Sequence, residues 1–183
     1  MSIAVTGLLL GGTALILQHG HEAFAFGAAR VEAQQGLRAA LERMSVELRE
    51  AGFGLHHGSF DPLLVAEATR LVIQQDLDGD GATGANGEQV TYLLAGTTLR
   101  RDAGGGAQPV LDGVTRLRFH YLDARRRTTA LPGAVCSVVI TLSAGPPSTF
   151  LRLPFPVTVH GMTEVLIRNR RYRLFQEGPA TAG

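Results

Sequence analysis

The stretch that decides the fold runs from Ala28 to Ala51 and reads AARVEAQQGLRAALERMSVELREA. Its large apolar side chains recur at spacings of four, three and four residues, at Leu37, Leu41, Met44 and Leu48. This spacing puts the four side chains on one face of an α-helix. The sequence therefore predicts an amphipathic helix whose apolar face packs against a globular head.

The limits of this helix can be estimated from the flanking residues. Opposite charges lie four residues apart at Arg38/Glu42 and Arg43/Glu47, a spacing that supports an exposed helical face. Gly52 and Gly54 provide a stop signal, and no proline precedes Pro62. A continuous helix can therefore extend from about Ile3 to Ala51, a length of roughly 70 Å.

The beginning of the chain is apolar and uncharged. Residues 2–17 read SIAVTGLLLGGTALIL. These 16 residues fall short of the ~20 that span a bilayer as a helix. Three interpretations are open: a buried core helix, a secretory signal ending near Ala23-Phe-Ala25, or the last part of a longer membrane segment. The side chains expected in a membrane or helix bundle are Leu8, Leu9, Leu10, Leu15, Ile16 and Leu17.

The remainder of the chain alternates short apolar runs with turn signals, a pattern typical of β-strands. The predicted strands are Arg70–Gln75, Gln89–Leu94, Thr98–Arg101, Val114–Leu122, Val135–Leu142, Leu151–His160 and Thr163–Tyr172. The expected fold class is α+β: a long N-terminal helix, apolar and then amphipathic, packed against a small antiparallel β-sheet head. Residues 1–52 would form the membrane and assembly helix, and residues 53–183 the β-rich globular head.

The first 53 residues resemble a known family. They combine an apolar run, a Phe-containing polar transition (Glu22-Ala-Phe-Ala-Phe26), and a segment from Gln34-Gln-Gly-Leu37 to Arg49-Glu-Ala-Gly-Phe53. This combination resembles type IV pilin-like proteins, and within them the W-type minor pilins and the J-type pseudopilins of type II secretion. The Asp/Gly-rich loop before Glu88-Gln-Val-Thr-Tyr92 and the terminal strand 165–170 are further, less specific matches. The resemblance implies a pilin-like fold.

The resemblance also implies a function. It implies a structural minor pilin that acts in type IV pilus assembly or forms the filament tip. Its partners would be other pilin subunits, contacted through the N-terminal helix, and the inner membrane. The expected location is a single pass in the inner membrane with a periplasmic head, and later the filament. The alternatives are a pseudopilin at the tip of a type II secretion pseudopilus, an anchored or secreted calcium-binding β-domain, and an unrecognised hydrolase.

One feature departs from the family pattern. The family's mature chain begins with an aromatic residue, preceded by the glycine where prepilin peptidase cuts and followed shortly by a glutamate. This chain shows neither the cleavage motif nor that glutamate. Met1-Ser-Ile3 is therefore expected to correspond to a point several residues inside the family's helix.

The strongest local motif is an acidic loop, Asp76-Leu-Asp78-Gly-Asp80-Gly81. Aspartates at alternating positions followed by glycine match the first half of a calcium loop. The bidentate glutamate of such a loop would fall at Gly87, but Glu88 comes one residue later. Asp76, Asp78, Asp80 and Glu88 are thus candidate ligands of an irregular calcium loop, and the alternative is a solvated turn.

Other functional classes have little support in the sequence. The net charge of +1 argues against a generic polyanion binder, and few aromatic residues accompany the arginine clusters at 125–127 and 168–173. Nucleic acid is therefore not an expected partner. The chain has no HExxH or Cys/His metal motif, serine elbow, phosphate loop or dinucleotide fingerprint, so no enzyme activity is expected. The single cysteine, Cys136, excludes an intrachain disulfide and is expected to be a small buried side chain.

Overall fold

A computed structural model describes residues 2–54, 60–146 and 157–169. The chain begins with one helix, α1 (Ser2–Glu50), of 49 residues, which corresponds to a length of about 74 Å. The strands that follow are β1 (Leu63–Ala66), β2 (Arg70–Gln74), β3 (Gln89–Ala95), β4 (Thr98–Asp102), β5 (Gln108–Leu111), β6 (Val114–Leu122), β7 (Ser137–Ala144) and β8 (Val159–Leu166). A 3-10 turn at Pro132–Ala134 precedes β7. The order of elements is that of an α+β fold with a long N-terminal helix.

The second half of α1 supplies one wall of the core. Its buried side chains recur at spacings of three or four residues, at Ala29, Ala33, Leu37, Ala40, Met44 and Leu48. Leu41, which the sequence grouped with this stripe, is only half-buried and lies at the margin of the contact. The helix therefore packs through a stripe of small side chains followed by large ones, and the contact with the head begins near Ala29.

The end of α1 is fixed to both sheets. Gly52 and Gly54 adopt positive φ angles of 76° and 78°, which glycine tolerates without a steric penalty. The amide of Gly52 donates to the carbonyl of Gln74 at 2.8 Å. The side-chain amide of Asn169 donates to the carbonyl of Ala51 at 3.0 Å. The helix terminus is therefore bonded to a β2 residue on one side and to the segment after β8 on the other.

The described part of the head contains two antiparallel sheets, a division that the sequence did not predict. Strands β1 to β5 form a meander in the order β1-β2-β3-β4-β5, and β6, β7 and β8 form a second sheet in that order. Tyr121 on β6 donates its hydroxyl to the carbonyl of Glu67 at 2.6 Å, and the amide of Phe119 donates to the carbonyl of Ala68 at 2.8 Å. These bonds join the second sheet to the β1–β2 connection. One hydrophobic core runs between the sheets and α1.

The C-terminal strands differ from the prediction. The sequence suggested two strands separated near Gly161, whereas one strand, Val159–Leu166, passes through that position. A Cβ on Gly161 would lie 2.5 Å from Leu37 Cδ2 and 2.7 Å from Leu41 Cδ1. Gly161 therefore allows α1 to approach β8 closely, and it does not form a turn. Residues 157–158 and 167–169 of the two predicted strands are not in a strand, and 151–156 and 170–172 lie outside the described residues.

The apolar start of α1 is helical in its backbone. Of the six side chains expected in a membrane or bundle, Leu17 is described and is 64% exposed; Leu8, Leu9, Leu10, Leu15 and Ile16 lie outside the described side chains. Among the residues that the structure describes, no helix combines the length and the apolar character needed to cross a membrane.

Candidate functional site

The first candidate surface lies on the part of α1 that precedes the head. Leu17, Phe24 and Val31 are 64%, 78% and 53% exposed, and they follow one another at intervals of seven residues. A seven-residue apolar interval keeps side chains on one face of a helix and is typical of helices that pack on other helices. Gly20 and Gly27 lie three residues after Leu17 and Phe24. A Cβ added to either glycine would have no neighbouring atom within 4 Å. This heptad face can therefore approach another helix closely.

The heptad face points away from the head. Val31 is two residues from each of the buried residues Ala29 and Ala33. At about 100° per residue, two steps turn through roughly 200°. The apolar heptad face and the head-packing stripe are thus on opposite sides of α1, and the head leaves the heptad face open.

A polar network fixes the helix to the five-stranded sheet. Glu47 accepts hydrogen bonds from the Tyr92 hydroxyl at 2.6 Å and from Arg101 Nε at 2.8 Å and 3.1 Å. Arg43 lies 3.6 Å from the same carboxylate. The sequence assigned Glu47 only to an exposed pair with Arg43, because nothing local indicates that β3 and β4 would supply closer partners. The expected Arg38/Glu42 pair does not form an ion pair in the described helix.

The network changes the chemistry of its tyrosine. Burial raises the pKa of Tyr92 far above its usual value, and the hydrogen bond to Glu47 raises it further. The phenol therefore stays protonated and acts as a donor to Glu47 throughout the physiological range. This arrangement is structural: it holds α1 in one orientation on the sheet.

The acidic loop forms the second candidate site. Carboxylate oxygens of Asp76, Asp78 and Asp80 lie within 4.8 Å of one another, a spacing compatible with a shared metal ion. Asp76 is buried and accepts the amides of Gly79 at 2.7 Å and Gly81 at 3.1 Å. Asp78 and Asp80 are exposed. The structure therefore brings together three of the four residues that the sequence proposed as calcium ligands.

Glu88 has a different position in the loop. It is 1% exposed, and its two oxygens accept the amides of Leu77 at 3.0 Å and Ala85 at 2.9 Å. Bonds from backbone amides to a buried carboxylate are charge-assisted and strong. Glu88 therefore closes the loop, and it is not among the carboxylates grouped around the potential ion position.

Basic side chains are concentrated on the outer face of the three-stranded sheet and in its β6–β7 connection. Arg116 and Arg118 are exposed on β6. Arg126 pairs with Glu164 at 2.9 Å and Arg127 with Asp123 at 3.0 Å. The pKa of Asp123 is lowered first by the hydrogen bond from the backbone amide of Arg127 and also by the Arg127 guanidinium, and the pKa of Glu164 is lowered by the hydrogen bond from Arg126. Of the C-terminal arginine cluster, only Arg168 lies within the described residues.

A hollow on that face contains a histidine and a serine. Nδ1 of His160 and Oγ of Ser143 are 2.7 Å apart, but Ser143 is 4% exposed, so its hydroxyl is poorly placed for attack on a substrate. Cys136 is half-buried, with Sγ 3.8 Å from the carbonyl of Ala134. His56 and His57 lie outside the described residues. The described side chains thus provide a polar hollow rather than an assembled catalytic constellation.

Comparison with known proteins identifies the fold. The structure is similar to that of a type IV-like pilin from Thermus thermophilus, with a TM-score of 0.53 and 15% sequence identity, over 74% of this chain and 97% of that chain. No protein-family model matches the chain, and no curated protein matches it. The chain therefore has a pilin-like fold, as the sequence predicted, and the likeness is one of structure.

Proposed function

We propose that this chain is a structural subunit of a type IV pilus-like filament rather than an enzyme. The observation that carries the proposal is the heptad face of α1. Leu17, Phe24 and Val31 remain exposed in the monomer, although large apolar side chains at regular helical intervals favour burial. Burial against the α1 helices of neighbouring copies would remove them from water. The pilin-like fold of the chain supports this assignment.

The head would form the contact surface of such a subunit outside the helix bundle. It is fixed to α1 by the core and by the Glu47 network, so its orientation relative to the helix is defined. A rigid relation between helix and head is what a filament requires, because the packing of the helices then dictates where each head lies. The finer assignment that we favour is a minor pilin that acts during assembly or at the filament tip. On this proposal, the subunit is located in the inner membrane, with its head in the periplasm, before it is assembled into the filament.

Truncation tests the proposal. The full chain is expected to associate through α1 and to require detergent, and removal of residues 1–21 is expected to give a soluble monomer. Sedimentation and partition into lipid vesicles measure the two properties. A full chain that remains monomeric and soluble without detergent would contradict the proposal. As a matched control, Phe53→Ser removes an exposed apolar side chain from the head and should leave both properties unchanged.

A further inference from the structure

We propose that the outer face of the three-stranded sheet is a docking surface for the acidic loop, residues 76–80, of a second copy of this chain. The inference rests on the proposed filament function, which it deepens by naming a contact between heads. It is carried by the register of the three strands, by the free donors on that face, and by the charge of the loop.

The strand register places a polar row across the sheet. Arg116 on β6 pairs with Ser143 on β7, which pairs with His160 on β8. Together with Thr115 and Thr141, these residues line an open hollow of about 420 Å³. Neighbouring strands lie about 4.8 Å apart, so Arg116 and His160, two strands apart, lie on either side of Ser143. The lining of the hollow thus suits an anionic side chain.

The two arginines of this face make no ion pair with any described residue. None of the ion pairs among the described residues involves Arg116 or Arg118. His160 uses Nδ1 for Ser143, which leaves Nε2 for another group. Arginine presents only donors, arranged in a fork that fits a carboxylate. The face therefore offers several donors and no competing acidic side chain in the Arg116 row.

The acidic loop has the complementary properties. Asp78 and Asp80 are exposed, and each uses one oxygen to accept a backbone amide, at 3.1 Å and 2.7 Å. The second oxygen of each remains without a hydrogen bond in the described structure. No arginine lies between Arg70 and Arg100, so the negative charge of the loop is not cancelled by its neighbours in sequence.

Apolar side chains add a second point of complementarity. Leu77 is 55% exposed beside the aspartates of the loop, and Met162 is 73% exposed in the sheet row next to Arg116. An apolar contact flanked by opposite charges defines a register as well as an attraction. The loop fits the face by both criteria.

The contact is one that two copies make. Within one chain, no ion pair joins the acidic loop to Arg116, Arg118 or His160 among the described residues. Two different surfaces that bind each other form a heterologous contact, which propagates into a ring or an open helical filament. The inferred contact therefore has the symmetry that a filament needs.

Cysteine cross-linking of full-length chains tests the contact. In a Cys136→Ser background, one preparation carries Leu77→Cys and a second carries Met162→Cys. The two are mixed with chelator and mildly oxidised. A heterodimeric disulfide is expected, at a rate at least about tenfold above that of the control Leu64→Cys, whose side chain is 50% exposed on β1 of the other sheet; a tenfold effect is modest for an electrostatically steered encounter.

Charge reversal provides the second arm. Arg116→Glu with Arg118→Glu in the Met162→Cys chain should suppress the cross-link, and Asp78→Arg with Asp80→Arg in the Leu77→Cys chain should restore it. Asp78→Asn with Asp80→Asn keeps the acceptor oxygens and should reduce the cross-link without disturbing the loop. An unchanged rate in these variants, or a rate equal to that of the control, overturns the inference.

Two further readouts separate the inference from its rivals. Sedimentation of the same samples reports association through α1, so association without a selective cross-link refutes this contact and not the proposed function. Titration with a duplex oligonucleotide tests whether the arginine face binds nucleic acid instead of the acidic loop. Arginine-dependent binding of the oligonucleotide, together with no rescue by the reversed loop, would assign the face to nucleic acid and overturn the inference.

Discussion

Replacement of Glu47 by glutamine is the perturbation that most sharply tests how the helix is fixed to the head. The glutamine keeps the shape of the side chain but removes its charge, and its amide group presents a donor where Tyr92 or Arg101 also presents one. The side chains of Glu47 and Arg101 are 16% and 21% exposed, so solvent can compensate for only part of the loss. A hydrogen bond to a charged group contributes about 1.5–3 kcal/mol, and Glu47→Gln should therefore lower the free energy of unfolding by about 2 kcal/mol.

Urea unfolding followed by tyrosine fluorescence measures this loss. The chain has no tryptophan, and Tyr92 and Tyr121 are buried in the head, so the signal reports the unfolding of the head. With a slope of about 2 kcal/mol per molar urea, the midpoint should fall by about 1 M. Glu42→Gln is the matched control, since Glu42 is exposed on the same helix, and it should change stability by less than about 0.5 kcal/mol.

A double-mutant cycle decides whether the effect arises from the network. Glu47→Gln and Arg101→Met are made singly and together. The coupling energy should exceed about 1 kcal/mol, above the range of exposed ion pairs. A coupling energy near zero, or equal losses in Glu47→Gln and Glu42→Gln, would show that α1 is held by apolar packing alone.

The remaining predictions concern pH, packing and calcium. The folded-state pKa of Tyr92 is raised, so this tyrosine loses its proton first in the unfolded chain as pH rises above about 10; the contribution of Tyr92 to stability should be constant below that pH and decline above it, and Tyr92→Phe should reduce the decline seen in urea titrations. Leu48→Ala should cost about 2–5 kcal/mol because it leaves a cavity in the core, whereas Val46→Ala, on the exposed side of the same turn, should cost less than about 0.5 kcal/mol in the same assay. Calcium at a hundredfold excess over its Kd should raise stability by about 2.7 kcal/mol, with reversal by chelator and loss of the effect in Asp78→Ala and Asp80→Ala; calorimetry without heat and an unchanged melting temperature would reduce the loop to a solvated turn.

The helix and its packing face could be predicted from the sequence because their signals are local. The spacing of Leu37, Met44 and Leu48 determines a helical face irrespective of what packs on it. The proximity of Asp76, Asp78 and Asp80 is likewise a property of one short loop. These parts of the structure depend on residues that are close in sequence.

The remaining parts depend on contacts between distant residues. In the sequence, Gly161 resembles a turn signal. In the structure, Leu37 and Leu41 of α1 occupy the space beside it, and this contact cannot be read from the neighbouring residues. The sequence missed β1 and β5, which are four residues long and too short to show a period, and β5 contains Pro109, which suits its edge position. The orientation of Glu88 could not be predicted from the sequence, because it depends on the backbone geometry of the loop. The partners of Glu47 could not be predicted either, because they lie on strands far away in the chain.

The central claim is that the heptad face of α1 joins copies of this chain, and its most direct measurement is a cross-link between helices. Leu17→Cys and Phe24→Cys are placed one at a time in a Cys136→Ser background, and full-length chains are oxidised in the associated state. The account predicts disulfide-linked dimers at both positions and none at His19→Cys, which is exposed and lies about 200° around the helix from Leu17. Equal dimer yields at all three positions, or none at Leu17 and Phe24, would contradict the account.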